Sequence, residues 1–129
     1  MRRLVSILSV MYLLGVIAGC APTQKMSALQ GMPGGAPTET IHITAEKYKF
    51  TPDTIRVKKG THLVFELESL DVRHEFKLEG YDIYVKIPAK EPVKVELYAS
   101  KAGEFGFGCH VGLGMHYALG MKGTLIVEE

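Results

Sequence analysis

The chain has 129 residues, a formal net charge of +1 and 47% hydrophobic residues. This length suits a single domain with one modest hydrophobic core. Acidic and basic residues are interspersed, so the chain lacks the basic face of a nucleic-acid-binding protein, and we expect no nucleic-acid partner. Cys20 and Cys109 are the two cysteines, and they could form one disulfide unless one of them has another role.

The first twenty residues have the pattern of an export signal. Two arginines precede an apolar run at 4–18, which is shorter than the about 20 apolar residues of a membrane-spanning helix. The run ends in Ile-Ala-Gly-Cys and resembles the lipobox of bacterial lipoproteins, which implies cleavage before Cys20 and lipid attachment to it. We therefore expect residues 1–19 to be a signal peptide and lipid on Cys20 to hold the domain on a bacterial membrane, outside the cytoplasm. An uncleaved anchor helix is the alternative, and lipid on Cys20 would leave Cys109 without a disulfide partner.

Residues 20–39 are predicted to be a flexible tether after the lipidated cysteine. Their sequence, CAPTQKMSALQGMPGGAPTE, is rich in Pro, Gly, Ala, Ser and Thr and has no hydrophobic periodicity. Fully extended, such a segment would span about 60 Å. That reach would hold the domain clear of the lipid surface.

Residues 40–129 show the pattern of an all-β domain. Short segments rich in Val, Ile, Tyr and Phe recur between Pro, Gly, Asp and Lys-Gly breaks, and none has a sustained helical period. This pattern predicts a β-sandwich of about seven to eight strands, with antiparallel or mixed sheets. The strand candidates are IHITAEKYKF, TIRVKKG, HLVFELESL, YDIYVKI, VKVELYAS, EFGFGC and GTLIVEE.

Soft metal-binding side chains are concentrated between the last two strand candidates. The stretch from Cys109 to Met121, CHVGLGMHYALGM, contains one cysteine, two histidines and two methionines. Thiolate, imidazole and thioether groups together favour copper, particularly Cu(I), over hard cations. A further imidazole is available from His74, which lies between two strand candidates in the segment SLDVRHEF.

The stretch 40–129 resembles the cupredoxins, the blue copper family of Greek-key sandwiches. HYALGMKGTLIV is similar to the family's H-x3-G-M-x-G ending, and SLDVRHEF resembles its first-ligand segment, which is shared with the copper domain of cytochrome oxidase subunit II. The resemblance implies a Greek-key β-sandwich with one copper ion, Cu(I)/Cu(II). Carried onto this sequence, it implies a trigonal plane of His74, Cys109 and His116 with Met121 as a long axial contact.

Three features depart from the family pattern. Six residues separate Cys109 from His116, a longer interval than in the smallest members. Leu113 stands where the binuclear oxidase centre has its second cysteine, so we expect a mononuclear site. Glu75 follows His74, where many members have a small polar residue that ties the two ligand loops together, and this change is expected to affect the reduction potential.

Two other residues of the loop are alternative ligands. His110 directly follows the cysteine, and strand-like alternation would turn it away from the metal, but it could substitute as a ligand. Met115 could compete with Met121 as the axial group. His42 and His62 lie on strand candidates without any partner motif, so we expect them to be exposed.

A copper ion with three strong ligands and one weak ligand has no obvious position for a substrate, so the chain is not expected to be an enzyme. No paired carboxylates or Ser-His-Asp set offer a catalytic motif, and Asp71 is interpreted as a turn residue. The predicted function is single-electron transfer outside the cytoplasm. A redox partner such as a cytochrome or an oxidase would dock near Leu113, Met115 and Leu119. The alternative is a copper carrier or chaperone for extracytoplasmic copper delivery.

Overall fold

The computed structural model describes residues 28–129. This part of the chain forms nine β-strands in two sheets and one short helix, α1 (Met115–Ala118), so the predicted all-β sandwich is confirmed. One sheet has the order β2-β1-β4-β7 and contains β1 (Thr38–Glu46), β2 (Lys49–Thr51), β4 (His62–Ser69) and β7 (Val93–Tyr98). The other has the order β3-β9-β8-β5-β6 and contains β3 (Thr54–Lys58), β5 (His74–Leu78), β6 (Ile83–Ile87), β8 (Gly103–Gly108) and β9 (Lys122–Glu128).

The strand count exceeds the predicted seven to eight for two local reasons. The first strand candidate is divided by a turn, so its end becomes the separate strand β2, which pairs back antiparallel onto β1. β5 was predicted only as the loop around His74, but it pairs with both β6 and β8. Its residues Phe76 and Leu78 enter the core, which is too short an alternation to recognise in the sequence.

The core lies between the two sheets and follows the predicted alternation. Leu63, Phe65 and Leu67 on β4 are fully buried, as their spacing predicted. Both sheets are mixed, since β1 pairs parallel with β4 and β3 pairs parallel with β9.

The parallel pairing of β1 with β4 defines two opposite ends of the sandwich. Thr38 lies beside His62 at one end, which we call the tether end, and Ala45 lies beside Ser69 at the other. The second end, which we call the loop end, carries the connections after β4 and after β8. The sequence segments SLDVRHEF and CHVGLGMHYALGM therefore meet at the loop end.

The described part of the predicted tether contacts the domain. β1 begins at Thr38. In the segment before it, the carbonyl groups of Ala28 and Pro37 accept backbone hydrogen bonds from the sandwich. The division of the chain into 1–19, 20–39 and 40–129 stays a prediction, and the signal segment and Cys20 lie outside the described residues. Within residues 28–129, no helix is long and apolar enough to span a bilayer.

Gly123 is expected to be essential for the start of β9. A Cβ atom at this position would overlap the backbone carbonyl oxygen of Asp53 and the ring of Phe107, and that carbonyl is already fixed by a hydrogen bond from Thr124. Gly123→Ala should therefore lower the free energy of unfolding by about 1–3 kcal/mol, the usual range for overpacking. Gly34→Ala is the matched control, because a Cβ there meets nothing within 4 Å. Denaturant titration of both variants is the measurement, and equal stabilities would contradict the packing argument.

Candidate metal centre

Four elements of the loop end supply the predicted metal ligands. His74 is the first residue of β5, and Cys109 directly follows β8. His116 lies in α1, and Met121 directly precedes β9. Two strand ends therefore hold His74 and Cys109 on the sheet, while the connection between β8 and β9 brings the other two residues over them.

His74, Cys109 and His116 form a compact triangle of ligand atoms. The two Nδ1 atoms are 3.3 Å apart, and the Cys109 Sγ lies 3.8 Å from His74 Nδ1 and 3.6 Å from His116 Nδ1. His74 and Cys109 are fully buried, and the His116 ring is partly exposed. Among the described residues, this is the single group of three or more His, Cys, Asp or Glu side chains close enough to hold one metal ion.

The size of the triangle fits a metal ion. A point equidistant from the three atoms lies about 2.1 Å from each of them, close to the bond lengths of His nitrogen and Cys sulfur to a first-row metal. A trigonal plane of two imidazoles and one thiolate with a distant thioether is the donor set typical of blue copper. The residues present therefore fit copper.

Met121 closes the loop through its backbone. Its N–H donates to the His116 carbonyl at 2.9 Å, and its carbonyl accepts from the Cys109 N–H at 3.1 Å. Its side chain is fully buried. Met121 is thus fixed to both neighbouring members of the set before any metal binds.

Asp71 fixes the orientation and tautomer of His74. Its Oδ1 lies 2.7 Å from His74 Nε2. Burial acts to raise the pKa of Asp71, but hydrogen bonds from the Lys47 and Val72 backbone N–H groups and from His74 outweigh it and lower the pKa from 3.8 to about 2. Because the carboxylate is ionised, Nε2 carries the proton and Nδ1 keeps its lone pair directed at the site.

The role of Asp71 was not found in the sequence, where it was interpreted as a turn residue. The available signal was its position three residues before His74 in SLDVRHEF. That spacing alone does not distinguish a turn residue from a histidine partner. The contact also depends on the Lys47 N–H, which is 24 positions away and holds the Asp71 Oδ2 at 2.8 Å.

The thiol of Cys109 receives a hydrogen bond from the other ligand loop. The backbone N–H of Glu75 donates to Sγ at 3.3 Å. A donor aimed at sulfur stabilises the thiolate, the form that binds metal. The link between the two ligand loops therefore uses the backbone N–H of Glu75, which every residue type except proline supplies.

His116 is prepared to bind metal in its neutral form. Its pKa lies below the ordinary value. Burial is the largest cause, and the nearby charges of His74 and Lys47 lower the pKa further. The Tyr48 ring packs edge-on against its imidazole, with the centroids 5.1 Å apart. A neutral imidazole with a fixed ring plane is the form required of a metal ligand.

The alternative ligands lie outside the triangle. His110 stacks on Tyr117, with ring centroids 4.9 Å apart, as its predicted alternation away from the site requires. Met115 is 58% exposed, and Leu113 projects fully into solvent.

The two strand histidines face the outer surface of the first sheet. The His42 side chain is 74% exposed, as predicted, and its Nδ1 lies 2.9 Å from a carboxylate oxygen of Glu66. The prediction of exposure was wrong for His62, whose side chain is only 17% exposed because it packs beside Glu96.

Comparison with known proteins agrees with this site. The family description "Cupredoxin-like domain" matches residues 10–127. The chain belongs to the cupredoxin-like domain family. Cytochrome c oxidase subunit 2 of Thermus thermophilus is 31% identical over 90 residues, which cover 70% of this chain and 66% of that protein. The chain thus matches somewhat less than two thirds of that relative's length.

Solved structures show the same cupredoxin fold. A chain of a heme-copper terminal oxidase dimer matches with a TM-score of 0.65 and 22% identity, over 87% of this chain and 76% of that one. Auracyanin A of Chloroflexus aurantiacus, described as a "blue" copper protein, matches with a TM-score of 0.60 and 21% identity, over 70% of this chain and 99% of that one. In this cupredoxin fold, His74, Cys109, His116 and Met121 are positioned as a single copper site, as in blue copper proteins.

Proposed function

We propose that this domain transfers single electrons outside the cytoplasm and is anchored to a membrane by lipid on Cys20. Its copper would be held by His74, Cys109 and His116, with Met121 as a weak axial ligand. Bound copper supplies the chemistry, because it alternates between Cu(I) and Cu(II). The observation that carries the proposal is the closed triangle of ligand atoms, with separations of 3.3–3.8 Å.

The surroundings of the triangle favour electron transfer because they hold the ligands still. Asp71 orients His74, the Glu75 N–H holds the Cys109 sulfur, and Tyr48 packs against His116. A site that is fixed before the reaction undergoes little rearrangement when its charge changes. Such a site exchanges electrons quickly and releases its metal slowly.

The exposed edge of His116 offers the route for the electron. Around it, Leu113, Met115 and Leu119 are exposed apolar side chains on the connection between β8 and β9. An apolar rim of this kind suits brief docking with a redox protein. The partner would be a cytochrome or an oxidase, a choice supported by the similarity to cytochrome c oxidase subunit 2.

The location outside the cytoplasm is supported by the predicted lipobox and by a structural relative. The periplasmic domain of subunit II of the Bradyrhizobium japonicum cytochrome oxidase has a TM-score of 0.61 to this chain at 17% identity. An oxidising compartment is compatible with a reduced Cys109. Its thiol is buried, and it is the one free cysteine of the described residues.

Copper delivery is the second candidate function. One observation favours it, because Met115 presents an exposed thioether one position away from His116 on α1. A soft donor at the surface could receive copper from the site and pass it on. This alternative requires fast metal release.

A paired measurement tests the two functions. We expect fast electron self-exchange together with slow copper transfer to a chelator, and slow self-exchange with fast copper transfer would favour delivery.

Leu119→Glu should slow reduction by the partner about tenfold or more while the spectrum and copper affinity stay unchanged, because it places a charge on the docking surface. Ser100→Glu adds the same charge in the exposed turn after β7, at the tether end, and should have little effect. Equal effects of both changes would contradict docking at the loop end.

A further inference from the structure

Residues 28–37 leave the domain and return to it at one place. The carbonyl of Ala28 accepts a hydrogen bond from the Tyr98 N–H, and the carbonyl of Pro37 accepts one from the His62 N–H, both at 2.8 Å. His62 and Tyr98 are paired partners on β4 and β7. The segment therefore begins and ends beside the same pair of residues, at the tether end.

The path between these two attachments is folded back on itself. One turn is closed by the Met32 N–H and the Leu29 carbonyl, and a second by the Ala36 N–H and the Pro33 carbonyl, each at 3.3 Å. Ala28 also packs against the hydrophobic core. This part of the predicted tether consequently adds no reach between the anchor and the domain.

The chain available to separate the domain from an anchor at Cys20 is therefore short. Only residues 21–27 lie between Cys20 and the attachment of Ala28. The eight Cα–Cα steps from Cys20 to Ala28 span at most about 29 Å, compared with about 60 Å for the whole of 21–39.

The copper site lies at the far end of the sandwich from this attachment. β4 runs from His62 at the tether end to Ser69 at the loop end, and these eight residues cover about 23 Å. Asp71 and His74 follow Ser69, and His116 of α1 lies beside His74, with their Nδ1 atoms 3.3 Å apart. The exposed edge of the site is thus about 30 Å from the point where the chain enters the domain.

We propose that this attachment keeps the copper site directed away from the anchoring membrane, an inference that rests on the proposed lipid at Cys20. Placing the loop end on the bilayer would raise Ala28 about 30 Å above the surface, a height that the chain from Cys20 reaches only at full extension, at about 29 Å. Holding a chain fully extended costs conformational entropy, so the opposite orientation is favoured. The His116 edge therefore meets its partner from the aqueous side. The partner is a protein that is soluble or projects from the membrane, and its redox group does not lie at the level of the lipid.

Tryptophan fluorescence in vesicles tests this orientation, since the natural chain contains no tryptophan. Leu119→Trp marks the loop end and Lys101→Trp marks the tether end, both at exposed positions. The anchored, metal-free protein is placed in phosphatidylcholine vesicles containing a lipid with a nitroxide on its headgroup. We expect Lys101→Trp to be quenched several-fold more than Leu119→Trp. Equal quenching of the two probes would overturn the proposal.

Two insertions of equal length distinguish the effect of the attachment from the effect of a longer chain. Ten Gly/Ser residues placed between Ser27 and Ala28 lengthen the free tether and should raise the quenching of Leu119→Trp at least twofold. The same ten residues placed between Gly34 and Gly35 enter the returning segment, where an added Cβ meets nothing within 4 Å. That insertion should leave quenching unchanged, because the attachments of Ala28 and Pro37 remain. Identical effects of the two insertions would show that the attachment does not limit reach.

Failure of the anchor is detected separately from failure of the orientation. The mass of the purified protein shows whether Cys20 carries lipid, which tests the proposed anchor alone. If it carries none, a maleimide lipid coupled to Cys20 supplies the anchor, since the thiol of Cys109 is buried. The quenching comparison then decides the orientation in either case.

Discussion

Cys109→Ser should abolish the intense visible absorption that we expect of the oxidised, copper-loaded protein. That band requires charge transfer from a thiolate to Cu(II), and Cys109 supplies the one sulfur atom in the triangle of ligand atoms. A serine hydroxyl keeps the size of the side chain but is a harder and far less readily ionised donor. The measurement is the absorption spectrum of the oxidised protein at equal copper content.

The control for this experiment is Cys20→Ser, which removes the other cysteine of the chain. It should leave the band unchanged, because the proposed site uses none of the first 39 residues. His74→Ala and His116→Ala should weaken or reshape the band, since each removes one corner of the triangle. A natural protein that stays colourless in excess copper and binds only zinc would contradict the assignment.

Local sequence patterns were sufficient to predict the sandwich and the region of the site. The alternation of Leu63, Phe65 and Leu67 identifies a strand because residues two apart face the same side. The soft donors from Cys109 to Met121 identify a metal loop because few other arrangements collect such side chains. Both signals are contained within about a dozen neighbouring residues.

Features that depend on distant contacts could not be predicted in this way. Asp71 is the partner of His74, and the Lys47 N–H, from the turn after β1, holds its second oxygen. The hydrogen bond to the Cys109 sulfur comes from a backbone N–H, which leaves no mark on the residue type at position 75. The attachment of Ala28 to Tyr98 likewise pairs two backbone groups 70 positions apart. In each case tertiary structure selects the contact, and composition gives no indication of it.

Asp71→Asn should weaken Cu(II) binding by about 10- to 100-fold, the usual effect of losing a partner of a metal-bound histidine. The amide keeps the shape of the side chain but removes the negative charge 2.7 Å from His74 Nε2. A negative charge near the metal favours Cu(II) over Cu(I), so the reduction potential should rise. If Cu(I) affinity stays constant, the rise is about 60–120 mV, at 59 mV for each tenfold change in a one-electron couple.

Asp53→Asn provides the matched control. Asp53 is an exposed carboxylate beside the start of β9, at the loop end. Its backbone carbonyl accepts a hydrogen bond from the Thr124 N–H. Its removal changes the net charge equally without touching a proposed ligand. Competition titration and voltammetry of both variants are the measurements. Equal shifts in the two variants would show that general charge, rather than the Asp71–His74 contact, sets the potential.

The acid dependence of unfolding of the metal-free protein is a second test of the contact between Asp71 and His74. The pKa of Asp71 is about 2 in the folded chain and its ordinary value is 3.8. A carboxyl group with a lowered pKa contributes stability that is present above 3.8 and is lost as the pH falls toward 2. Asp71→Asn should therefore remove part of the acid dependence of unfolding, while Asp53→Asn should retain the dependence due to Asp71. If Asp71→Asn changed the copper potential but left the acid dependence of the metal-free protein intact, the carboxylate would contact His74 only after metal binds.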